Sequence, residues 1–225
     1  MVTVNAAELV WYVAYGSNLN RDRFLAYLRG GRVAGNEVLY EGCADTSPPV
    51  DDVPMTLANS LYFAGWSDRV WGGTSAGFIT LGAHVPPALA RAYLITRGQF
   101  LDVVRQENAG RSSAGPGDLD RAVAQARERG HARLQPTGPY RELVYCGERD
   151  GRPLLSFTTS VDRTDVGPPS EAYLRVIGRG LQECHGLDRA QVAAYLGEVP
   201  GVRGHWSPPA LREALRAGGL PGAGT

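Results

Sequence analysis

The sequence predicts an α+β fold, and three observations carry that prediction. Short runs of β-branched and aromatic residues, bounded by glycine and proline turns, recur along the chain. Helix-periodic segments cluster toward the C-terminal end. A length of 225 residues with 43% apolar composition suffices for one substantial core, and no internal repeat divides it. We therefore expect one domain over residues 1–225.

The elements follow in order. Val10 to Tyr15 (VWYVAY) reads as a buried strand, and Gly16 to Asn18 as the turn that ends it. Asn18 or Asn20 then caps a helix, RDRFLAYLRG, in which Phe24, Leu25 and Leu28 share a face before Gly30-Gly31 stops it. A strand, a polar turn and a helix start in direct succession present backbone N–H groups suited to an anion. Residues 41–55, rich in proline and acid, are expected as a loop. Residues 56–65 and 73–82 read as strands flanking a Trp-Gly-Gly turn, and residues 89–95 as a further strand.

Thr96 caps RGQFLDVVRQEN, with Phe100, Val103 and Val104 along one side and Glu107 near the helix end. Residues 110–119 form a connection, and DLDRAVAQARERG is a surface helix. Glu142 to Cys146 and Pro153 to Thr159 pair as a hairpin about GERDG. Two helices follow, broken near Gly186-Leu187, the second beginning at Asp188. The tail holds a proline-started helix and then a frayed end.

Composition removes several function classes. Twenty-three basic residues balance twenty-three acidic ones, so no charge field points to nucleic acid or to an anionic membrane. Every basic residue is arginine, which excludes a Schiff-base lysine and a phosphate-loop lysine. Cys43, Cys146 and Cys184 follow no metal-ligand spacing. His84, His131, His185 and His205 form no close pair, and no HExxH occurs; no metal is expected, and a metal-dependent deacetylase would conflict with this ligand inventory. No apolar run reaches the roughly 18 residues of a membrane span and no secretory pattern opens the chain, so a cytoplasmic location is expected. GxSxG is absent, and the glycines of WGGTSAG and IGRGLQE lack a dinucleotide-binding context. What remains is the AYGSNL turn and the acidic residue Glu107.

The stretch Tyr12-Val13-Ala14-Tyr15-Gly16-Ser17-Asn18-Leu19 resembles the signature loop of the gamma-glutamylcyclotransferase-like family. RAYLITRGQFLDVVRQEN resembles that family's strand and helix leading to its acid/base glutamate, which places the role on Glu107. PPSEAYLRVIGRGLQECHGL resembles the later segment with a substrate-contacting tyrosine, here Tyr173.

The resemblance implies a small mixed β-barrel with surrounding helices and a cofactor-free, metal-independent enzyme. Its substrate would be a small gamma-glutamyl amine or amide, whose own α-amine attacks the gamma-carbonyl to give 5-oxoproline and a free amine. Glu107 would be catalytic, while Tyr12, Val13, Ala14, Tyr15, Gly16, Ser17, Asn18 and Tyr173 would bind substrate. Ser17 and Asn18 either donate hydrogen bonds or fix the loop.

Two segments depart from the family pattern: a long polar insertion around residues 110–138 and the proline-rich stretch 41–55. Both are expected to rim or cover the pocket and to admit a leaving amine larger than a simple amino acid. Arg21, Arg23, Arg91, Arg97 and Arg105 lie near the candidate site in sequence as possible carboxylate partners. Trp66, Trp71 and Trp206 are candidates either for an apolar acceptor pocket or for the core. The alternatives are another amide-cleaving or acyl-transfer reaction on a small metabolite, or a non-catalytic small-molecule binding module.

Overall fold

A computed structural model of the chain describes residues 9–32, 38–68 and 71–216. The frayed tail expected at the C-terminus, residues 217–225, lies outside the described residues. In chain order the first elements are β1 (Leu9–Ala14), a single 3-10 turn (Ser17–Leu19), α1 (Arg21–Arg29), β2 (Gly31–Arg32), β3 (Leu39–Tyr40), β4 (Asp51–Thr56), β5 (Leu61–Ser67), β6 (Thr74–Ile79) and β7 (Leu89–Thr96). Then come α2 (Arg97–Glu107), α3 (Pro116–Arg129), β8 (His131–Arg133), β9 (Glu142–Arg149), β10 (Arg152–Thr158), α4 (Glu171–His185), α5 (Arg189–Gly197) and α6 (Pro208–Arg216).

Six strands form one mixed sheet in the order β4-β7-β1-β10-β9-β8, with β1 parallel to β10 and antiparallel to β7. β1 lies inside this sheet, and its alternating side chains enter two different cores. Leu9, Trp11 and Val13 pack with Leu174, Ile177 and Leu181 of α4, Val192 and Leu196 of α5, and Leu211 of α6. Val10, Tyr12 and Ala14 pack with Phe24 and Leu28 of α1, Phe100, Val103 and Val104 of α2, and Leu119 and Ala122 of α3. A strand buried on both faces reads as an unbroken apolar run, which is why VWYVAY shows no polar alternation.

The same arrangement corrects the expected barrel. The sheet is open, ending at β4 on one side and β8 on the other, while β5 and β6 pair separately as a hairpin. Helices cover β1 from both faces, whereas a closed barrel would turn one face of every strand into its own interior. Where a ladder would have joined the hairpin to β10, one side chain stands in. The Thr158 hydroxyl accepts from the Ile79 amide at 3.2 Å and donates to the Ile79 carbonyl at 2.8 Å. An isolated bridge between Ala64 and Val166 ties the hairpin to the segment between β10 and α4.

Two local expectations also change. Residues 51–56, expected within a loop, form β4, whose edge position tolerates Pro54 and two aspartates. β8 was not foreseen. The helix starts agree with their caps: Asn20 accepts from the Arg23 amide, Thr96 and Gln99 form a capping box, and Ser170 and Asp188 cap α4 and α5. At Gly180, α4 presses directly on the turn after β1, where an added Cβ would stand 2.4 Å from both the Asn20 nitrogen and the Leu19 carbonyl carbon.

Candidate functional site

The turn after β1, the last residue of α2 and the first turn of α4 converge on one small cavity of about 30 Å³. Tyr15, Gly16, Ser17 and Asn18 line one side of it, with Glu107 and Tyr173 opposite. Tyr12 reaches the cavity from within β1, since its side chain alternates away from Val13. Val13 and Ala14 line neither this cavity nor its neighbour; both are packed into the cores, and the Val13 carbonyl accepts from the Ser156 hydroxyl at 2.7 Å.

Asn18 connects the turn to the acid. Its side-chain amide nitrogen donates to Glu107 Oε1 at 3.0 Å and to the Tyr12 hydroxyl at 3.2 Å, while its main-chain carbonyl accepts from the Tyr93 hydroxyl at 2.8 Å. The turn's own hydrogen bonds use the amides of Leu19 and Asn20, and those of Ser17 and Asn18 enter none of the loop's backbone bonds. Tyr15 is pinned through its hydroxyl, which donates to the Phe157 carbonyl at 2.8 Å. Gly16 has ordinary negative φ, so close approach rather than backbone conformation requires glycine here. A Cβ on it would come within 3.1 Å of the Tyr173 hydroxyl, and one on Gly77 of β6 within 3.2 Å.

Glu107 sits deep among protein atoms, yet part of its surface opens on the cavity. Burial pushes its carboxyl above the ordinary value of 4.5, against the opposing pull of Arg23 and of hydrogen bonds from Tyr27 and Asn18. Burial also pushes the Tyr173 phenol up to about 12, and the nearby Glu107 acts in the same direction. A carboxyl that gains and loses its proton nearer neutrality, beside the Ser17 and Asn18 amides, has the equipment for proton transfer and for stabilising a developing oxyanion.

A larger cavity of about 390 Å³ adjoins the first, and Ser17, Glu107, Tyr140 and Tyr173 line both. Of the five arginines near the site in sequence, only Arg23 lines it. Arg21 and Arg91 both hold Asp52 of β4, Arg97 pairs with Asp120, and Arg105 with Glu41. Trp66 and Trp71 also border this cavity, whereas Trp206 does not, and its indole donates to the Pro169 carbonyl at 3.2 Å just before α4.

The expected rim is only partly present. Arg111 and the residues Pro139 and Tyr140 after the insertion border the larger cavity, but α3 packs Leu119, Ala122 and Ala126 into the core, and none of residues 41–55 lines either space. Tyr140, Phe157 and Gly77 were missed by sequence reasoning; each arrives from a strand or loop remote from the signature stretch, with no local pattern to mark it. A third cleft, lined by Arg175, Arg179, Arg189 and Arg216 between α4, α5 and α6, holds no carboxylate, imidazole or thiol. Among the described residues no group of three or more His, Cys, Asp or Glu side chains converges to hold a metal ion. No described helix is long and apolar enough to cross a membrane.

No family model matches the chain. It is 30% identical over 201 residues to histone deacetylase 5 of Arabidopsis thaliana, a match that takes in 84% of this chain but only 30% of the plant protein's length. Among solved structures it is similar to YkqA of Bacillus subtilis, with TM-score 0.45 and 15% identity over 85% of this chain and 55% of that one. It is similar to a gamma-glutamyl cyclotransferase with TM-score 0.44 and 16% identity, over 94% of this chain and all of that one. An uncharacterized Homo sapiens protein, loc79017, gives TM-score 0.37 and 15% identity over 78% of this chain and 80% of that one.

Proposed function

We propose that the chain is a gamma-glutamylcyclotransferase-type enzyme that converts a gamma-glutamyl amine or amide into 5-oxoproline and a free amine. The observation that carries this reading is the Asn18–Glu107 hydrogen bond at 3.0 Å. It ties the AYGSNL turn, whose Ser17 and Asn18 amides enter none of the loop's backbone bonds, to a partly buried carboxyl of raised pKa at the mouth between two cavities.

In the proposed reaction the glutamyl portion occupies the smaller cavity. Glu107 accepts a proton from the α-ammonium, and the freed amine attacks the gamma-carbonyl carbon to close a five-membered ring. The amides of Ser17 and Asn18 receive the oxyanion of the tetrahedral intermediate. Protonated Glu107 then delivers its proton to the amide nitrogen as the carbon–nitrogen bond breaks. The regenerated carboxylate takes the remaining extra proton from the ring nitrogen and passes it to the departing amine, leaving a neutral lactam nitrogen in 5-oxoproline and the amine as its ammonium ion. Ring closure needs no enzyme nucleophile, so the main task is holding the folded glutamyl chain in reactive geometry. The Tyr173 hydroxyl, between Gly16 and Gly77, would position it.

A second reading follows from the name of the plant relative: cleavage of another acyl amide, with water rather than the substrate's amine as nucleophile. It would engage the same carboxyl and amides. One experiment separates the readings. Purified protein and Glu107→Gln are incubated with gamma-glutamyl amines, gamma-glutamyl amino acids, glutathione and N-acetylated amines, and products are identified by mass spectrometry. We expect 5-oxoproline and free amine from the wild type, with turnover about 10²- to 10⁴-fold lower in Glu107→Gln. Acetate release without 5-oxoproline would select the second reading, and specific binding without any product would select a binding module.

A further inference from the structure

We infer that the larger cavity is a carboxylate-binding subsite built around Arg23, and that its occupant is an α-amino acid with an aromatic or large apolar side chain. That this amino acid is the leaving group rests on the cyclotransferase reading; the carboxylate site itself does not.

Arg23 projects from α1 and is only 3% exposed. Its Nη2 donates to the Tyr27 hydroxyl at 3.2 Å, but Nε and Nη1 have no hydrogen-bond partner among the described residues. Its guanidinium carbon lies 4.9, 4.8 and 5.0 Å from the ring centroids of Tyr27, Tyr40 and Trp71. Aromatic faces partly compensate the charge, yet they offer nothing to N–H groups that burial has stripped of water. A buried guanidinium with unmet donors is a receptor for a planar anion, the geometry carboxylates provide.

The surrounding charge agrees. Among the described residues, Arg23, Arg111 and Arg163 line the cavity with Glu107 as the one lining carboxyl, and Arg23 forms no ion pair. Arg163 is engaged with Asp165, which leaves Arg23 as the deep donor. The walls set the rest of the ligand. Trp71 is held at φ 58, a conformation bulky residues rarely adopt, and its indole stacks on Tyr173 with centroids 6.0 Å apart. With Tyr27, Tyr40 and Phe78 it gives the 390 Å³ space aromatic sides, room enough for a large apolar side chain. Because Glu107 lines both cavities, an amide nitrogen at their junction would have its acyl part in the small space and its amino-acid part beside Arg23.

Isothermal titration tests this with two probes that differ by one group, L-phenylalanine and phenethylamine, against wild type and Arg23→Gln. Both probes carry the ammonium and the ring, so their difference reports the carboxylate alone. Wild type should bind phenylalanine at least tenfold more tightly, and Arg23→Gln should erase that preference while circular dichroism stays native. Should Arg23→Gln fail to fold, Arg23→Lys, which keeps the charge but offers one donor nitrogen in place of three, should still weaken phenylalanine binding several-fold. Equal binding of the two probes by wild type, or a preference that survives both substitutions, would overturn the inference. If the preference holds but no gamma-glutamyl amide is turned over, the subsite stands and the proposed reaction falls.

Discussion

Replacing Thr158 by valine removes one oxygen and leaves the side-chain shape nearly unchanged, which makes it a sharp probe of how the β5–β6 hairpin is held to the main sheet. Thr158 and Ile79 are both fully buried, and the hydroxyl makes two bonds, to the Ile79 amide and to its carbonyl. Neither backbone group has water to turn to in the variant. An unsatisfied buried polar group costs about 1–3 kcal/mol, so the pair should cost about 2–6 kcal/mol. The added methyl returns about 0.8 kcal/mol, giving a net loss of roughly 1–5 kcal/mol. At about 2–4 °C per kcal/mol for a chain of this size, a mid-range loss lowers Tm by about 6–12 °C. Thermal unfolding followed by circular dichroism measures it, with Thr158→Ser, which retains the hydroxyl, as control. The seam also joins Gly77 and Phe157 across the small cavity, so the valine variant should lose activity at temperatures well below its own Tm. A Tm within about 2 °C of wild type would mean that Ile79 finds other partners and that the hydroxyl is not the joint.

Further outcomes follow from the site. A base must be ionised to accept a proton, so the acidic limb of the kcat/KM profile should lie above the ordinary glutamate value of 4.5, and Arg23→Gln, which removes an opposing pull, should move it higher still. The same shift bears on stability. Native Glu107 keeps its proton to higher pH than the unfolded chain does, so stability falls as pH rises from 4.5 through the raised pKa, and Glu107→Gln should gain Tm over wild type at pH 8 but not at pH 4. Tyr173→Phe should leave Tm within about 3 °C and lower kcat/KM about tenfold, the worth of one positioning hydrogen bond. Gly180→Ala forces a Cβ to 2.4 Å from backbone atoms; overpacking of that kind costs about 1–3 kcal/mol, and turnover should fall along with Tm.

Much of this was legible in the sequence because it is local. The caps at Asn20, Thr96 and Asp188 act within four residues, and the VWYVAY strand announces its burial through its own composition. The turn and Glu107 stood out as the residues left after other chemistries were removed, and the structure brings them within one hydrogen bond. β4 was hidden because an edge strand needs partners on one side only, so its aspartates and Pro54 look like a loop. Sheet closure depends on whether Ile79 meets a backbone or a hydroxyl, and no periodicity encodes that. Arg23 was one arginine among twenty-three basic residues, and only packing distinguishes a buried donor from a solvated one.

The contact at Gly180 gives the C-terminal helices a role that their distance in sequence from the AYGSNL turn conceals. Two backbones meet there with no side chain between them, and such a joint has almost no compliance. A tilt of α4 would therefore be handed to the turn undiminished, with no flexible group to absorb it. On its other face α4 rests at Gly178 against Val192 of α5 and Leu215 of α6. These helices serve as the datum from which the turn's position is measured, so their packing sets the alignment of Asn18 with Glu107 as surely as the turn's own residues do.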